Sequence, residues 1–209
     1  MSALAVCKAG PHPGARIVLT GGPGAGKTAV LEIARKSFCS RIAFLPEAAS
    51  IVFGGGFWRR QTQAGRKAAQ RAIYYIQREQ ERMVQDEPEF GSVLCDRGTL
   101  DGLAYWPGEE ATFWQELGTT REAELSRYHA VIHLRTPPPD RYNHQNPLRT
   151  EDAVTAHAID QRIALAWEGH KNRAFIESSA DFVEKVQRAI ALIKDNLPEC
   201  CRQHQLVLP

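Results

Sequence analysis

One stretch of the sequence decides the fold, and it reads Gly21-Gly22-Pro23-Gly24-Ala25-Gly26-Lys27-Thr28. It contains the pattern Gly-x-x-x-x-Gly-Lys-Thr, which occurs once in the chain. The apolar, β-branched run at residues 16–20 precedes it and predicts a buried strand. Residues 29–35 follow it with apolar side chains at helical spacing, which predicts a helix. The stretch is therefore a glycine-rich turn from a strand into a helix.

The chemistry of this turn indicates a bound triphosphate. Glycines let the backbone turn tightly and bring several N–H groups towards phosphate oxygens, and the following helix presents its positive end to the same anion. We expect residues 21–29, up to and including Ala29, to bind the nucleotide. Within them, Lys27 reaches the β- and γ-phosphates and Thr28 ligates Mg²⁺. A glycine-rich turn without a ligand is the alternative, but a chance match of this pattern arises in only about one chain of this length in a hundred.

In the rest of the chain, short apolar runs typical of strands alternate with segments whose apolar residues recur at helical spacing. Short apolar runs predict four further strands, at 42–45, 92–95, 130–134 and 173–176. Helical spacing predicts helices at about 64–86, within 109–127, from Thr150 onwards, and from Asp181 to about Asp195. Strands and helices that alternate in this way form a parallel sheet covered on both faces. We therefore predict a three-layer α/β fold of the P-loop NTPase type, with about five parallel strands.

The composition fits one soluble α/β domain. The chain has 209 residues, 43% hydrophobic and 24% charged, and its net charge of +2 predicts no general attraction to nucleic acid or membranes. No apolar run approaches the roughly 20 residues of a membrane span. We expect a flexible lead-in at 1–15, the P-loop domain at 16–197 and a tail at 198–209. The five cysteines form no Cys-x-x-Cys pair, which predicts free thiols and a cytoplasmic location.

Polar side chains follow two more of the predicted strands. Glu47 comes after the second strand, and the pair Asp96 and Arg97 comes after the third. Because ligands of open α/β sheets bind outside the carboxyl ends of the strands, these residues should converge on the glycine-rich turn. We expect Asp96 to hold Mg²⁺ or its waters, and Arg97 to clamp a donor or acceptor phosphate. Glu47 is placed to take the proton of an attacking hydroxyl.

Each of these residues also suits a structural role. Asp96 is a residue type that caps helices, Arg97 is suited to pairing with a carboxylate, and Glu47 suits the start of a helix. Asp101 is expected to be a structural cap. The basic side chains between Arg59 and Arg82 fit an acceptor site or, more simply, a solvated helix face.

The sequence resembles a known family at several successive motifs. It is similar to the AAA-type ATP-binding domain family related to the ribosylnicotinamide kinase domain of the bacterial NAD-biosynthesis regulator. The proline–glutamate and aspartate–arginine pairs are also similar to those of deoxynucleoside and thymidylate kinases. Besides the glycine-rich turn, the motifs are Leu45-Pro46-Glu47-Ala48-Ala49, Gln70-Arg71-Ala72-Ile73 with Gln77, Cys95-Asp96-Arg97-Gly98-Thr99-Leu100-Asp101-Gly102-Leu103-Ala104-Tyr105, Asn146-Pro147-Leu148-Arg149-Thr150-Glu151 and Asp181-Phe182-Val183-Glu184-Lys185.

The resemblance implies a kinase-like site with two sides. It implies that Glu47 and Arg97 face the acceptor. It also implies an arginine-bearing lid that closes over the phosphates between Arg141 and Arg149, with Arg149 as the catalytic arginine. The segment 140–147 departs from most nucleotide kinases because it lacks their dense arginine cluster.

These observations predict an enzyme that uses a nucleotide. The leading hypothesis is a Mg²⁺-dependent transfer of phosphate from ATP to a small acceptor that resembles a nucleoside or nucleotide. The alternatives are a nucleotide-dependent switch that hydrolyses ATP or GTP slowly, and a nucleotide-binding partner protein without catalysis. The chain lacks an Asn-Lys-x-Asp guanine signature, and the family resemblance favours adenine. The sequence gives no direct evidence for nucleic-acid binding and leaves homo-oligomers open.

Overall fold

The computed structural model describes residues 14–87, 89–137, 152–178 and 181–202. The strands are Ala15–Thr20 (β1), Ile42–Leu45 (β2), Ser92–Asp96 (β3), Ala130–Leu134 (β4) and Arg173–Ile176 (β5). The α-helices are Lys27–Ser37 (α1), Ala48–Gly54 (α2), Gln63–Asp86 (α3), Glu110–Leu117 (α4), Arg121–Ser126 (α5), Ala153–Ala166 (α6), Phe182–Asp195 (α7) and Glu199–Arg202 (α8). A 3₁₀ helix spans Thr99–Tyr105.

The five strands form one parallel sheet in the order β2-β3-β1-β4-β5. The central strand β1 pairs with β3 on one side and β4 on the other, so that Val18 lies between Cys95 and Val131. The connection after β1 runs to β2 on one side of the sheet, whereas the connection after β3 runs to β4 on the other side of β1, which opens a crevice beyond the carboxyl ends of β1 and β3. The predicted sheet and its parallel direction are confirmed.

Helices cover both faces of the sheet, because side chains alternate along the strands. Ile17 and Leu19 of β1 are fully buried among side chains of α1 and α7. Val18, between them, packs on the opposite face with Ile163 of α6 and with Trp167, the C-cap of that helix. These two hydrophobic clusters make the three predicted layers, with the sheet in the middle.

The structure adds one short helix to the predicted elements, and one predicted helix begins later than expected. The chain after Glu47 forms the short helix α2, which extends into the glycine run at Gly54 before the positive φ of Gly56, 92°, breaks it. Helix α6 begins at Ala153, and its N-cap is Asp152 instead of Thr150. In the described part of the chain, every helix is too short or too polar to cross a lipid bilayer.

Candidate active site

The turn between β1 and α1 requires glycine at several positions. Gly21, Gly24 and Gly26 have φ angles of 134°, 76° and 94°, a region that residues with a Cβ atom rarely adopt. A Cβ atom on Gly21 would also overlap the carbonyl oxygen of Leu134 at the end of β4. The glycines therefore let this phosphate loop, residues 21–26, lie directly against the sheet.

Lys27 folds back over the phosphate loop. Its Nζ atom donates to the carbonyl oxygens of Gly21 and Gly22, at 2.8 and 3.0 Å. Burial and the nearby Arg97 guanidinium together lower the pKa of Lys27 to about 8, although three nearby carboxylates oppose the shift. A nearby anion would stabilise the charged form of this ammonium group, because it would replace part of the hydration that burial removes.

The start of α1 has no built-in partner for its own N–H groups. Gly26 is the N-cap and has no side chain with which to accept a hydrogen bond, and the first turn contains no acidic residue. Thr28 lies exposed in this first turn. The open N–H groups and the helix dipole both favour an anion at this point, as predicted for a phosphate-binding loop.

Asp96 ends β3 beside the phosphate loop. Its Oδ1 atom is buried and has no hydrogen-bond partner among the described residues. Burial raises the pKa of this carboxyl group, and Lys27 and Arg97 only partly oppose the rise. Asp101, not Asp96, accepts the N–H of Gly98 at the start of the 3₁₀ helix. Asp96 therefore has a buried carboxylate oxygen that accepts no hydrogen bond from the described residues.

Glu47 and Arg97 form an ion pair across the ends of β2 and β3. Arg97 Nε donates to Glu47 Oε1 at 2.6 Å, and the Ser50 hydroxyl donates to Oε2 at 2.7 Å. Burial by itself would raise the pKa of Glu47, but Arg97, Ser50 and Lys27 together lower it to about 2. Arg97 therefore has the structural role that the sequence also allowed, pairing with a carboxylate. Its partner, Glu47, is itself a predicted site residue.

The backbone of Arg97 is in an unusual conformation. Among the described residues, Arg97 is the non-glycine residue with a positive φ, 71°. Its Nη1 atom is buried without a hydrogen-bond partner in the described part of the chain. Backbone strain of this kind persists where the surroundings enforce it and is concentrated at functional sites. In this conformation the Arg97 side chain pairs with Glu47 through Nε, and its Nη1 atom lies 3.8 Å from Asp101 Oδ2.

Four polar residues beside the phosphate loop were missed from the sequence. Asp160 of α6 accepts the Gly22 N–H at 2.8 Å, and it also contacts His133, Arg135 and Thr136. A signal was present, because Asp160 lies on the apolar stripe of its helix, between Ile159 and Ile163. A charged residue on a buried stripe requires polar partners.

Other candidate residues are not part of this cluster. Arg71 pairs with Glu116 at 2.6 Å, and Lys67 joins the same carboxylate. Gln77 is buried and donates to Glu81, away from the phosphate loop. Arg149, with the rest of the predicted lid from Arg141 onwards, lies outside the described residues.

The fold and this arrangement together define a P-loop NTPase that resembles nucleotide kinases. A comparison with sequence families matches residues 16–185 to a family described as an AAA domain. Since the match covers most of the chain, the chain belongs to this AAA domain family. A comparison with curated protein sequences finds no significant match.

Solved structures confirm the fold. The NadR protein in complex with NR is similar, with a TM-score of 0.66 and 15% identity over 88% of this chain. NadR in complex with NAD and AMP-PNP gives a TM-score of 0.61 and 13% identity over 94% of this chain. This chain spans 52% of the NadR chains. Thymidylate kinase from Candida albicans gives a TM-score of 0.59 and 11% identity, covering 88% of this chain and 92% of the kinase.

Proposed function

We propose that this protein is an ATP-dependent phosphotransferase. It moves the γ-phosphate of ATP to a hydroxyl group of a small acceptor that resembles a nucleoside or nucleotide. One observation carries the proposal. Lys27, Asp96 and the Glu47–Arg97 pair come from three adjacent strand ends, and each couples electrostatically to the others.

The donor side of the site is the phosphate loop. The loop and the first turn of α1 bind the triphosphate with backbone N–H groups, and Ala29 continues this turn. Lys27 exchanges its carbonyl partners for β- and γ-phosphate oxygens. Its role is electrostatic, because phosphoryl transfer depends mainly on positioning and on neutralising charge.

The metal ligands we propose fit a magnesium ion. Thr28 offers an exposed hydroxyl, and Asp96 offers the buried oxygen that lacks a partner. Mg²⁺ prefers such oxygen ligands together with waters and substrate phosphates, so a cluster of three carboxylates is not needed. When bound, Mg²⁺ would neutralise charge on the phosphates.

The acceptor side is formed by Glu47 and Arg97. With a pKa of about 2, Glu47 is a weak base, so we propose that it orients the acceptor hydroxyl as a hydrogen-bond acceptor. In a loose transition state, little proton transfer to a base is needed before the acceptor oxygen bonds to phosphorus. Nη1 of Arg97 makes no hydrogen bond in the described part of the chain and lies 3.8 Å from Asp101 Oδ2, so we propose that it donates to a phosphate oxygen. Arg149 would add a further positive charge from the lid.

A substrate screen tests this function. Purified protein is incubated with Mg-ATP and a library of nucleosides, nucleotides and cofactor precursors, with Lys27→Ala as the control. We expect one acceptor class to be phosphorylated by the wild type and not by the control. Slow ATP hydrolysis without any phosphorylated acceptor would contradict the proposal and would favour the nucleotide-dependent switch.

A further inference from the structure

A buried carboxylate lies behind the phosphate loop, on the side away from Glu47. Asp160 of α6 is only 1% exposed. Its Oδ1 atom accepts a hydrogen bond from the N–H of Gly22 at 2.8 Å. The same atom lies 2.9 Å from Nε2 of His133, a residue near the carboxyl end of β4. Its Oδ2 atom accepts from Arg135 Nη1 at 3.1 Å. One side chain therefore joins the loop, a strand and the segment that follows the strand.

The phosphate loop rests directly on this part of the molecule. A Cβ atom on Gly22 would overlap the Thr136 hydroxyl and would lie 2.8 Å from the Asp160 Cβ atom. The Thr136 hydroxyl in turn donates to the carbonyl of Pro23 at 3.2 Å. The first half of the loop is thus packed against α6 and the end of β4 without room for a side chain.

Both polar groups of Gly22 are occupied. Its N–H is held by Asp160, and its carbonyl accepts from Lys27 Nζ at 3.0 Å and from the Ala25 N–H at 3.3 Å. A loop of glycines has many accessible conformations, and each fixed peptide removes some of them. Asp160 therefore restrains the residue on which Lys27 itself rests.

The negative charge of Asp160 is tolerated here because it is compensated. Arg135 forms an ion pair with it, and the His133 ring and the Gly22 N–H complete the surroundings. A buried carboxylate with several donors holds its neighbours firmly, whereas loss of the carboxylate leaves these donors unpaired. The arrangement supplies rigidity beside an anion site without adding a free negative charge to it.

We propose that Asp160 is a positioning residue that holds the phosphate loop in its triphosphate-binding shape before the nucleotide arrives. The inference rests on the proposed function, because it assumes that the loop binds a triphosphate. Preorganisation of this kind strengthens binding, since the loop loses less conformational freedom when the ligand binds. It requires no contact between Asp160 and the nucleotide.

Hydrogen exchange of the nucleotide-free protein tests the restraint directly. We expect Asp160→Ala to accelerate amide exchange at residues 21–26 by about tenfold or more. Asp160→Asn should have an intermediate effect, because the oxygen of its side-chain amide still accepts one hydrogen bond. Glu124→Gln is the matched control, since Glu124 is equally buried but contacts Tyr74, Arg78 and Thr99 instead. Should Asp160→Ala fail to fold, the Asp160→Asn variant carries the test.

Binding and kinetics test the consequence. In Asp160→Ala, we expect the Kd for Mg-ATP and the KM for ATP to rise about tenfold or more, while kcat at saturating ATP stays within about twofold. Asp160→Asn should recover part of the affinity, and Glu124→Gln should leave it unchanged. Unchanged loop exchange in both Asp160 variants, or an equal change in Glu124→Gln, would overturn the proposal. If the wild type binds no triphosphate, the proposed function fails, and the exchange result still decides whether Asp160 restrains the loop.

Discussion

Two buried aspartates flank the phosphate loop, and their surroundings differ. Asp160, on the α6 side, accepts hydrogen bonds from several elements. Burial by itself would raise its pKa, but His133, the Gly22 N–H and Arg135 together lower the pKa to about 2. Asp96, at the end of β3, has a buried oxygen without a partner in the described part of the chain, and burial raises its pKa. The first carboxylate is used by the fold itself. The second is the carboxylate that we propose as a metal ligand.

Glu47 sharpens this comparison, because it is paired like Asp160 but faces the acceptor side. We expect Glu47→Gln to reduce phosphate transfer by about 10²-fold, because the acceptor hydroxyl is held less well in position, while the Kd for Mg-ATP changes by less than about twofold. Transfer assays and calorimetry measure the two effects separately. Ser50→Ala is the control, since it removes a hydrogen bond from Glu47 but keeps the carboxylate. Unchanged transfer in Glu47→Gln would remove Glu47 from the mechanism.

The second prediction concerns Asp96. In Asp96→Asn, the Mg²⁺ concentration that gives half-maximal transfer should rise by about 10–100-fold, because a metal-binding oxygen loses its charge. The free energy of unfolding in the absence of metal should not fall by more than about 0.5 kcal/mol, because the wild-type oxygen has no partner to lose. The exposed Asp195 provides the matched variant Asp195→Asn. A strongly destabilised Asp96→Asn with normal Mg²⁺ dependence would show that Asp96 is structural.

The third prediction concerns pH and Asp160. Its pKa in the folded protein, about 2, lies below the ordinary 3.8, so its ionised form stabilises the fold above about pH 4. This contribution, about 2 kcal/mol, is lost as the pH falls from about 4 towards 2.

Urea unfolding of Asp160→Asn measures that contribution. We expect the variant to be less stable than the wild type by at least about 2 kcal/mol at pH 7, with a difference that shrinks as the pH approaches 2. Asp86→Asn, at an exposed position near the end of α3, is the control. A difference that stays constant from pH 7 to pH 3 would mean that the Asp160 charge does not stabilise the fold.

The smallest expected effect lies in the connection between α2 and α3. Trp58 is 74% exposed there, and Phe57 next to it is 40% exposed. We expect Trp58→Ala to change the free energy of unfolding by less than about 0.5 kcal/mol and to leave Mg-ATP binding unchanged. Urea unfolding and calorimetry check both values. A large loss of stability would show that this exposed ring supports the fold.

Much of the structure of the phosphate loop could be predicted from the sequence, because its signal is local. The glycine-rich pattern lies within eight consecutive residues between a strand and a helix, and the structure has both elements there. The five strands were also predictable, since each is a short apolar run. Glu47, Asp96 and Arg97 were placed correctly at strand ends, because parallel strands share one carboxyl edge.

The remaining contacts could not be predicted, because they join distant parts of the chain. The hydrogen bond between Gly22 and Asp160 connects positions 138 residues apart. The sequence shows only that a charged residue lies on an apolar stripe, not which donors meet it. The ion pair between Glu47 and Arg97 likewise joins positions 50 residues apart, and the positive φ of Arg97 is one that its residue type does not favour.

Calorimetry with Mg-ATP tests the central claim most directly, namely that the phosphate loop and Lys27 bind a triphosphate. The account predicts measurable heat and one nucleotide per chain for the wild type, and at least about 100-fold weaker binding for Lys27→Ala. Absence of heat with both ATP and GTP in magnesium buffer would contradict it, as would a Lys27→Ala affinity within a few-fold of the wild type.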